Sequence, residues 1–150
     1  MMGTIEGIAR RNKIFAPMEL IDSVTIDEKT GLEGDIRGGS LKRQVTILTD
    51  EAWKTVCDEL KTNLPWTTRR ANILIRGIKL PNEAGHQIEI GETLLVITRQ
   101  TDPCSRMDDQ FSGLTNALMP DWRGGVCCSV IRGGNIMNGD KVTLHPKEEL

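Results

Sequence analysis

Apolar and polar residues alternate with a period near two over much of the chain, the spacing of strands with one buried face. Residues 4–9 follow it, and residues 20–26 follow it with one apolar pair. Residues 43–48 form a short β-branched run. Residues 71–76 are almost continuously apolar, which predicts a strand buried on both faces. Residues 87–90 and 93–98 flank Gly91-Glu92, a hairpin signal. Residues 126–131 and 141–144 are the last two predicted strands, separated by Gly-containing turns.

Two stretches switch to a helical period. Thr49 or Asp50 can cap a helix whose Trp53, Val56, Cys57 and Leu60 share one face. A second helix is predicted over residues 105–119, with Met107, Phe111, Leu114 and Leu118 on one face and Pro120 as its stop. Gly113 weakens that helix by about 1 kcal/mol relative to Ala. Many short strands, Gly-rich turns and two helices predict a mainly β domain, barrel or sandwich, with peripheral helices. Residues 1–150 read as a single domain, with a frayed end over residues 147–150.

Composition narrows the function classes. The chain has no Tyr, two Phe and three Trp, so its core must come from Ile, Leu, Val, Met and Cys. A nucleic-acid surface built of stacking platforms is excluded by that shortage. Nineteen basic against 21 acidic residues give a net charge of −2, which argues against binding nucleic acid through a dominant positive field. No apolar run approaches the roughly 20 residues of a membrane span, and the first residues lack a signal-peptide core. A cytoplasmic location without membrane contact is expected. Cys57, Cys104, Cys127 and Cys128 include no CxxC pair, so free thiols are the expectation.

Several segments carry candidate chemistry. Gly31-Leu32-Glu33-Gly34-Asp35-Ile36-Arg37-Gly38-Gly39 is a loop whose backbone can approach a ligand, although by itself it reads as a surface turn. Lys42-Arg43-Gln44 and Thr67-Thr68-Arg69-Arg70-Ala71-Asn72 each lead into a predicted strand. Guanidinium groups beside hydroxyls suit a phosphate, and two such clusters could converge on one barrel rim. Cys104 falls where a strand ends and a helix is predicted to begin, which places it for reactivity or metal ligation. Arg106 would stabilise its thiolate, while Asp102, Asp108 and Asp109 would oppose it. Cys57 reads as core, and Cys127 and Cys128 as opposite faces of one strand, one of them core and the other facing solvent or a cavity. A zinc site assembled from Cys104, Cys127, Cys128, His86 and His145 fits no zinc spacing, and no zinc is expected. Trp66 and Trp122 are the loop aromatics available to a ligand.

Taken in order, these segments resemble the MOSC domain family, named after the C-terminal domain of molybdenum cofactor sulfurases. The resemblance is carried by Gly31–Asp35, Arg43-Gln44-Val45-Thr46, Thr68–Leu74, Gly91-Glu92, Pro103-Cys104-Ser105-Arg106-Met107-Asp108, Trp122–Cys127 and Ile136–Val142. Cys104 in Pro-Cys-x-x-Met is its most diagnostic part. The resemblance implies a mixed β-barrel with peripheral helices and a cavity for the molybdenum–molybdopterin cofactor. It implies Cys104 as the metal ligand through its thiolate, and Arg43, Arg69, Arg70 and Asn72 for the pterin and its phosphate. It implies Gly34 and Asp35 as one wall, with Arg37 and Arg106 as further cofactor contacts. Some longer members carry His two places after the Gly-Asp pair, where this chain has Arg37.

Related proteins reduce N-hydroxylated compounds with electrons from separate partners. This chain has no ferredoxin-type Cys spacing, so such a role needs a separate electron-transfer protein as well as a small-molecule substrate. An alternative is a sulfur carrier with a persulfide on Cys104, loaded by a sulfur-donor protein. The pyridoxal-phosphate domain of full-length sulfurases is not expected within 150 residues. A third reading is a barrel that binds a small anion without catalysis.

Overall fold

The computed structural model describes residues 1–147 and is mainly β. Eleven strands form in chain order: β1 (Met2–Arg10), β2 (Glu19–Ile21), β3 (Ser23–Asp27), β4 (Gly31–Leu32), β5 (Val45–Thr49), β6 (Ile73–Arg76), β7 (Gln87–Ile90), β8 (Thr93–Gln100), β9 (Val126–Arg132), β10 (Gly134–Met137) and β11 (Lys141–His145). The helices among the described residues are α1 (Asp50–Glu59), α2 (Met107–Gln110) and α3 (Leu114–Leu118), with 3-10 turns at Trp66–Arg69 and Pro120–Trp122.

Seven strands close a barrel in the order β11-β7-β8-β9-β5-β6-β1, sealed by pairing of β1 with β11. Six of its contacts are antiparallel, while β5 and β6 run parallel with Ile47 opposite Ile73. A parallel pair needs a crossover connection, and α1 lies in it. β2 extends the sheet beyond β1, and β10, β3 and β4 form a separate three-stranded sheet.

The barrel interior is filled by branched aliphatics, including Ile5, Ile8, Ile47, Ile73, Ile75, Ile88, Ile90 and Ile97, all nearly inaccessible. A second apolar cluster covers the outer face of β5 and β6, where Leu48 and Leu74 meet Trp53, Val56 and Cys57 of α1 and Leu114 and Leu118 of α3. α1 begins as predicted, with Thr49 Oγ1 accepting from Ala52 N at 3.2 Å.

Three expectations are corrected. The strand over residues 20–26 is broken at Asp22, and its halves join different sheets. The helix over residues 105–119 is two short helices, because Phe111 is extended and Gly113 takes φ 90°. Met107, Leu114 and Leu118 are buried nonetheless, so the apolar stripe marks the packed side chains even where the helix is interrupted. The Gly-rich stretch read as turns between β9 and β11 contains β10, which pairs with β3. The Gly91-Glu92 hairpin forms, with Ile90 opposite Thr93. From residue 148 on, the predicted frayed end lies outside the described residues. Among the described residues no helix is long and apolar enough to cross a membrane.

One glycine is sterically required beside the parallel pair. Gly125 has φ 94°, and a Cβ there would fall 2.3 Å from the Ile47 carbonyl oxygen. Gly91 also has positive φ, at 58°, but a Cβ there would meet open space. Gly125→Ala should therefore lose well over 1 kcal/mol of stability, and Gly91→Ala about 1 kcal/mol or less, in urea unfolding. Equal losses would show that the Gly125 backbone can move away from Ile47.

Candidate functional site

The start of β5 and the start of β6 lie side by side because the two strands are parallel. Each is preceded by arginine: Arg43 before β5, and Arg69 and Arg70 before β6. Between them Asn72 and Thr46 form a clamp. Asn72 Oδ1 accepts from Thr46 N at 3.0 Å and Thr46 Oγ1 at 3.2 Å, and Asn72 N donates to Thr46 Oγ1 and to Thr46 O, both at 3.0 Å. Asn72 Nδ2 donates to Ala9 O at 3.2 Å, and Ala9 N donates back to Asn72 O at 2.7 Å. One residue thus ties β1, β5 and β6 together.

A cavity of about 330 Å³ opens over this clamp. Its wall brings together Arg11, Arg37, Arg43, Arg69, Arg70 and Arg106, with Asp35, Asp102, Asp109 and the Cys104 thiol. Six guanidinium groups against three carboxylates make a concentrated positive site in a chain whose net charge is −2.

The arginines are held in different ways. Arg69, only 6% exposed, donates from Nε to Gly124 O at 3.1 Å and from Nη2 to Thr101 O at 2.7 Å. Burial, and next the charge of Arg43, lower its pKa to about 10, so it stays charged at neutral pH. Arg43 is half-buried and its Nε has no hydrogen-bond partner. Burial lowers its pKa first; Cys127 opposes that, and Arg37 and Arg99 add to it. The preceding carbonyls of Leu41 and Lys42 accept from the Ser129 and Thr98 hydroxyls, which anchors the segment. Arg11 is 9% exposed, and its Nη1 is also unpartnered. Its pKa is lowered by burial and then by Arg70 and Arg37, with Asp35 opposing. Buried N–H donors without acceptors are costly, and an anion in the cavity would satisfy them.

Asp35 organises the facing loop. Its carboxylate accepts from Arg11 N at 3.2 Å and from Arg37 N at 3.1 Å. Cys104 is the exposed cysteine of the four, while Cys57, Cys127 and Cys128 are buried. Its carbonyl accepts from Met107 N at 2.9 Å and from Thr115 Oγ1 at 2.9 Å, which positions the turn before α2. α2 has only four residues, so the helix-dipole stabilisation expected for the Cys104 thiolate has almost no helix behind it.

Eight of the nine sequence-derived site residues line this one cavity: Asp35, Arg37, Arg43, Arg69, Arg70, Asn72, Cys104 and Arg106. Gly34 does not, and lies against the Arg10 guanidinium instead. Asn72 lines the floor, but its oxygen is committed to Thr46. Trp66 and Trp122 are elsewhere. Trp66 lies against Gly7, and Trp122 packs on the barrel core beside a second cavity. The aromatic in the wall is Phe15, whose φ of 70° costs about 1–3 kcal/mol. Cys127 and Cys128 are both fully buried; Cys128 is in the barrel core and Cys127 Sγ lies 3.4 Å from Thr101 Oγ1. Burial raises the Cys128 thiol pKa far above its ordinary value. His86 and His145 belong to the β7–β11 side, where His145 Nε2 meets Glu89 at 3.1 Å and His86 Nδ1 accepts from Lys147 N. Sequence reading missed Arg11. The Arg10-Arg11 pair ends β1 as paired basic residues precede the other two strands, and that shared placement was the available signal.

The fold is shared with known proteins. The family model of the MOSC domain matches residues 34–143. Among solved structures, the YuaD protein of Bacillus subtilis superposes with a TM-score of 0.85 at 17% identity, covering 97% of this chain and 96% of that one. YiiM of Escherichia coli gives a TM-score of 0.72 at 19% identity, covering 99% and 75%. YiiM of Geobacillus stearothermophilus gives 0.68 at 14% identity, covering 97% and 76%. No curated protein matches the sequence significantly.

Buried Arg69 and half-buried Arg43 should behave oppositely when removed. Arg69→Met strands two carbonyls and should lose about 2–4 kcal/mol in urea unfolding. Arg43→Met removes an unpartnered donor and should leave stability within about 0.5 kcal/mol of wild type, or raise it. A large loss at Arg43 would mean that protein groups, not a ligand, hold its guanidinium.

Proposed function

The chain belongs to the MOSC domain family, which is associated with the molybdenum cofactor, and we propose that it binds that cofactor in the arginine-lined cavity. The observation that carries this reading is the pair of buried, unpartnered guanidinium nitrogens, Arg11 Nη1 and Arg43 Nε, beside one exposed thiol. An oxyanion head and a thiophilic metal are the two chemistries such a donor set fits. The cofactor's phosphate and pterin would be held by Arg11, Arg43 and Arg70. Arg69 acts as a positioning residue, because its bonds go to Gly124 and Thr101. The Cys104 thiolate would ligate molybdenum, which requires it to be deprotonated on binding.

When bound, the cofactor supplies two-electron redox chemistry. The reaction proposed here is reduction of an N-hydroxylated compound: two electrons and two protons are consumed, the N–O bond breaks, and water leaves. The electrons come from a separate electron-transfer protein. The chain's own contribution is to hold the anion with fixed cations and to shield the site on its barrel side through the Thr46–Asn72 floor. The exposure of Cys104 also suits the second reading, a persulfide carried for a sulfur donor.

Protein purified from a host that makes the cofactor should carry molybdenum and pterin in about equal amounts. Arg43→Ala should lower both at least about tenfold, the equivalent of about 1.4 kcal/mol. Cys104→Ser should lower molybdenum more than pterin. Wild-type protein lacking both would overturn the reading. A reductant-sensitive sulfur adduct on Cys104, seen by mass spectrometry in place of molybdenum, would favour the second.

A further inference from the structure

Phe15 stands apart from the rest of the cavity wall. It is the aromatic residue in that wall, and it is 79% exposed. Its φ of 70° is an outlier for a bulky side chain. The loop that carries it is tied at its root, where Arg11 N donates to Asp35 Oδ1 at 3.2 Å and Arg11 O accepts from Ile36 N at 2.8 Å. Ala16 N closes a turn onto Lys13 O at 3.1 Å around the residue. The ring is therefore displayed at the mouth by an organised turn, with its apolar face in water. Ile14 and Ile36, on the same two rim segments, are also exposed.

The cations divide by depth. Arg11 and Arg69 are buried, whereas Arg37 and Arg106 are exposed in the same wall as Phe15. The exposed part of the cavity wall thus carries an aromatic face and unburied guanidinium groups together. An exposed ring gains most when a ligand's ring covers it, and the cations of the same wall select for negative charge. We propose that Phe15 is the specificity-determining residue of this cavity, and that the substrate class is a planar aromatic compound carrying an anionic group. The ring would pack on Phe15 while the anion pairs with Arg37 or Arg106. This inference rests on the cavity's being the reaction site, as proposed above.

Calorimetric titration of the 150-residue chain with phenyl phosphate and methyl phosphate tests it, since the two differ in the ring and share the dianion. Wild type should bind phenyl phosphate at least about fivefold more tightly. Phe15→Ala should bring the two within twofold while leaving methyl phosphate unchanged, and Phe15→Tyr should keep the preference. Arg37→Ala combined with Arg106→Ala should weaken both phosphates alike. No preference in wild type, a preference that survives Phe15→Ala, or no binding of either phosphate would overturn the proposal. The first of these results would leave the rim as a surface for a protein partner. Molybdenum and pterin content of the same preparations reports separately on the cofactor reading, so the two failures are distinguishable.

Discussion

A closed barrel with an odd number of strands cannot alternate direction all the way round. Seven strands must include a parallel neighbour somewhere, and here it is β5 beside β6. The rest of the architecture follows from that one constraint. Parallel strands need a crossover, so α1 leaves the barrel wall and returns over its outer face. The crossover helix α1, joined by α3 from the β8–β9 connection, buries Leu48 and Leu74 in the second apolar cluster. It also sets the beginnings of two strands side by side, with the arginines that precede each.

That placement has an electrostatic cost. Arg43 disfavours the charge of Arg69, Arg37 and Arg99 disfavour that of Arg43, and both Arg43 and Arg69 lose solvent. Arg69 is compensated by two backbone carbonyls. Arg43 and Arg11 keep buried nitrogens with no acceptor in the protein. A fold that held these cations only for stability would have paired them. The Thr46–Asn72 clamp holds the strand ends together beneath this repulsion, through side-chain and main-chain bonds at once. An anion held in this cavity would relieve that cost.

Much of this was legible in the residues, for identifiable reasons. The barrel strands show because the interior is a single aliphatic filling, so Ile5, Ile47, Ile73 and Ile97 fall at strand spacing. Arg43, Arg69, Arg70 and Cys104 show because each sits at the end of a periodic segment, where a side chain meets a rim. What failed to show depends on tertiary context. Asp22 breaks a run whose alternation gives no sign that its halves part into two sheets. Gly113 and Phe111 break a helix whose apolar stripe is intact. Asn72 reads as a ligand contact because no local signal reveals that Thr46, 26 residues away, takes its oxygen. Phe15 is a single aromatic in a loop, and only the fold places it in the same cavity wall as the arginines.

In the proposed function, one cavity couples a cationic anion site to the Cys104 thiolate as a metal ligand. X-ray absorption at the molybdenum edge of cofactor-loaded protein measures that coupling at the metal itself. Wild type should show one more sulfur ligand than Cys104→Ser, with the pterin content of the two preparations taken into account. The same sulfur count in both proteins would contradict ligation by Cys104.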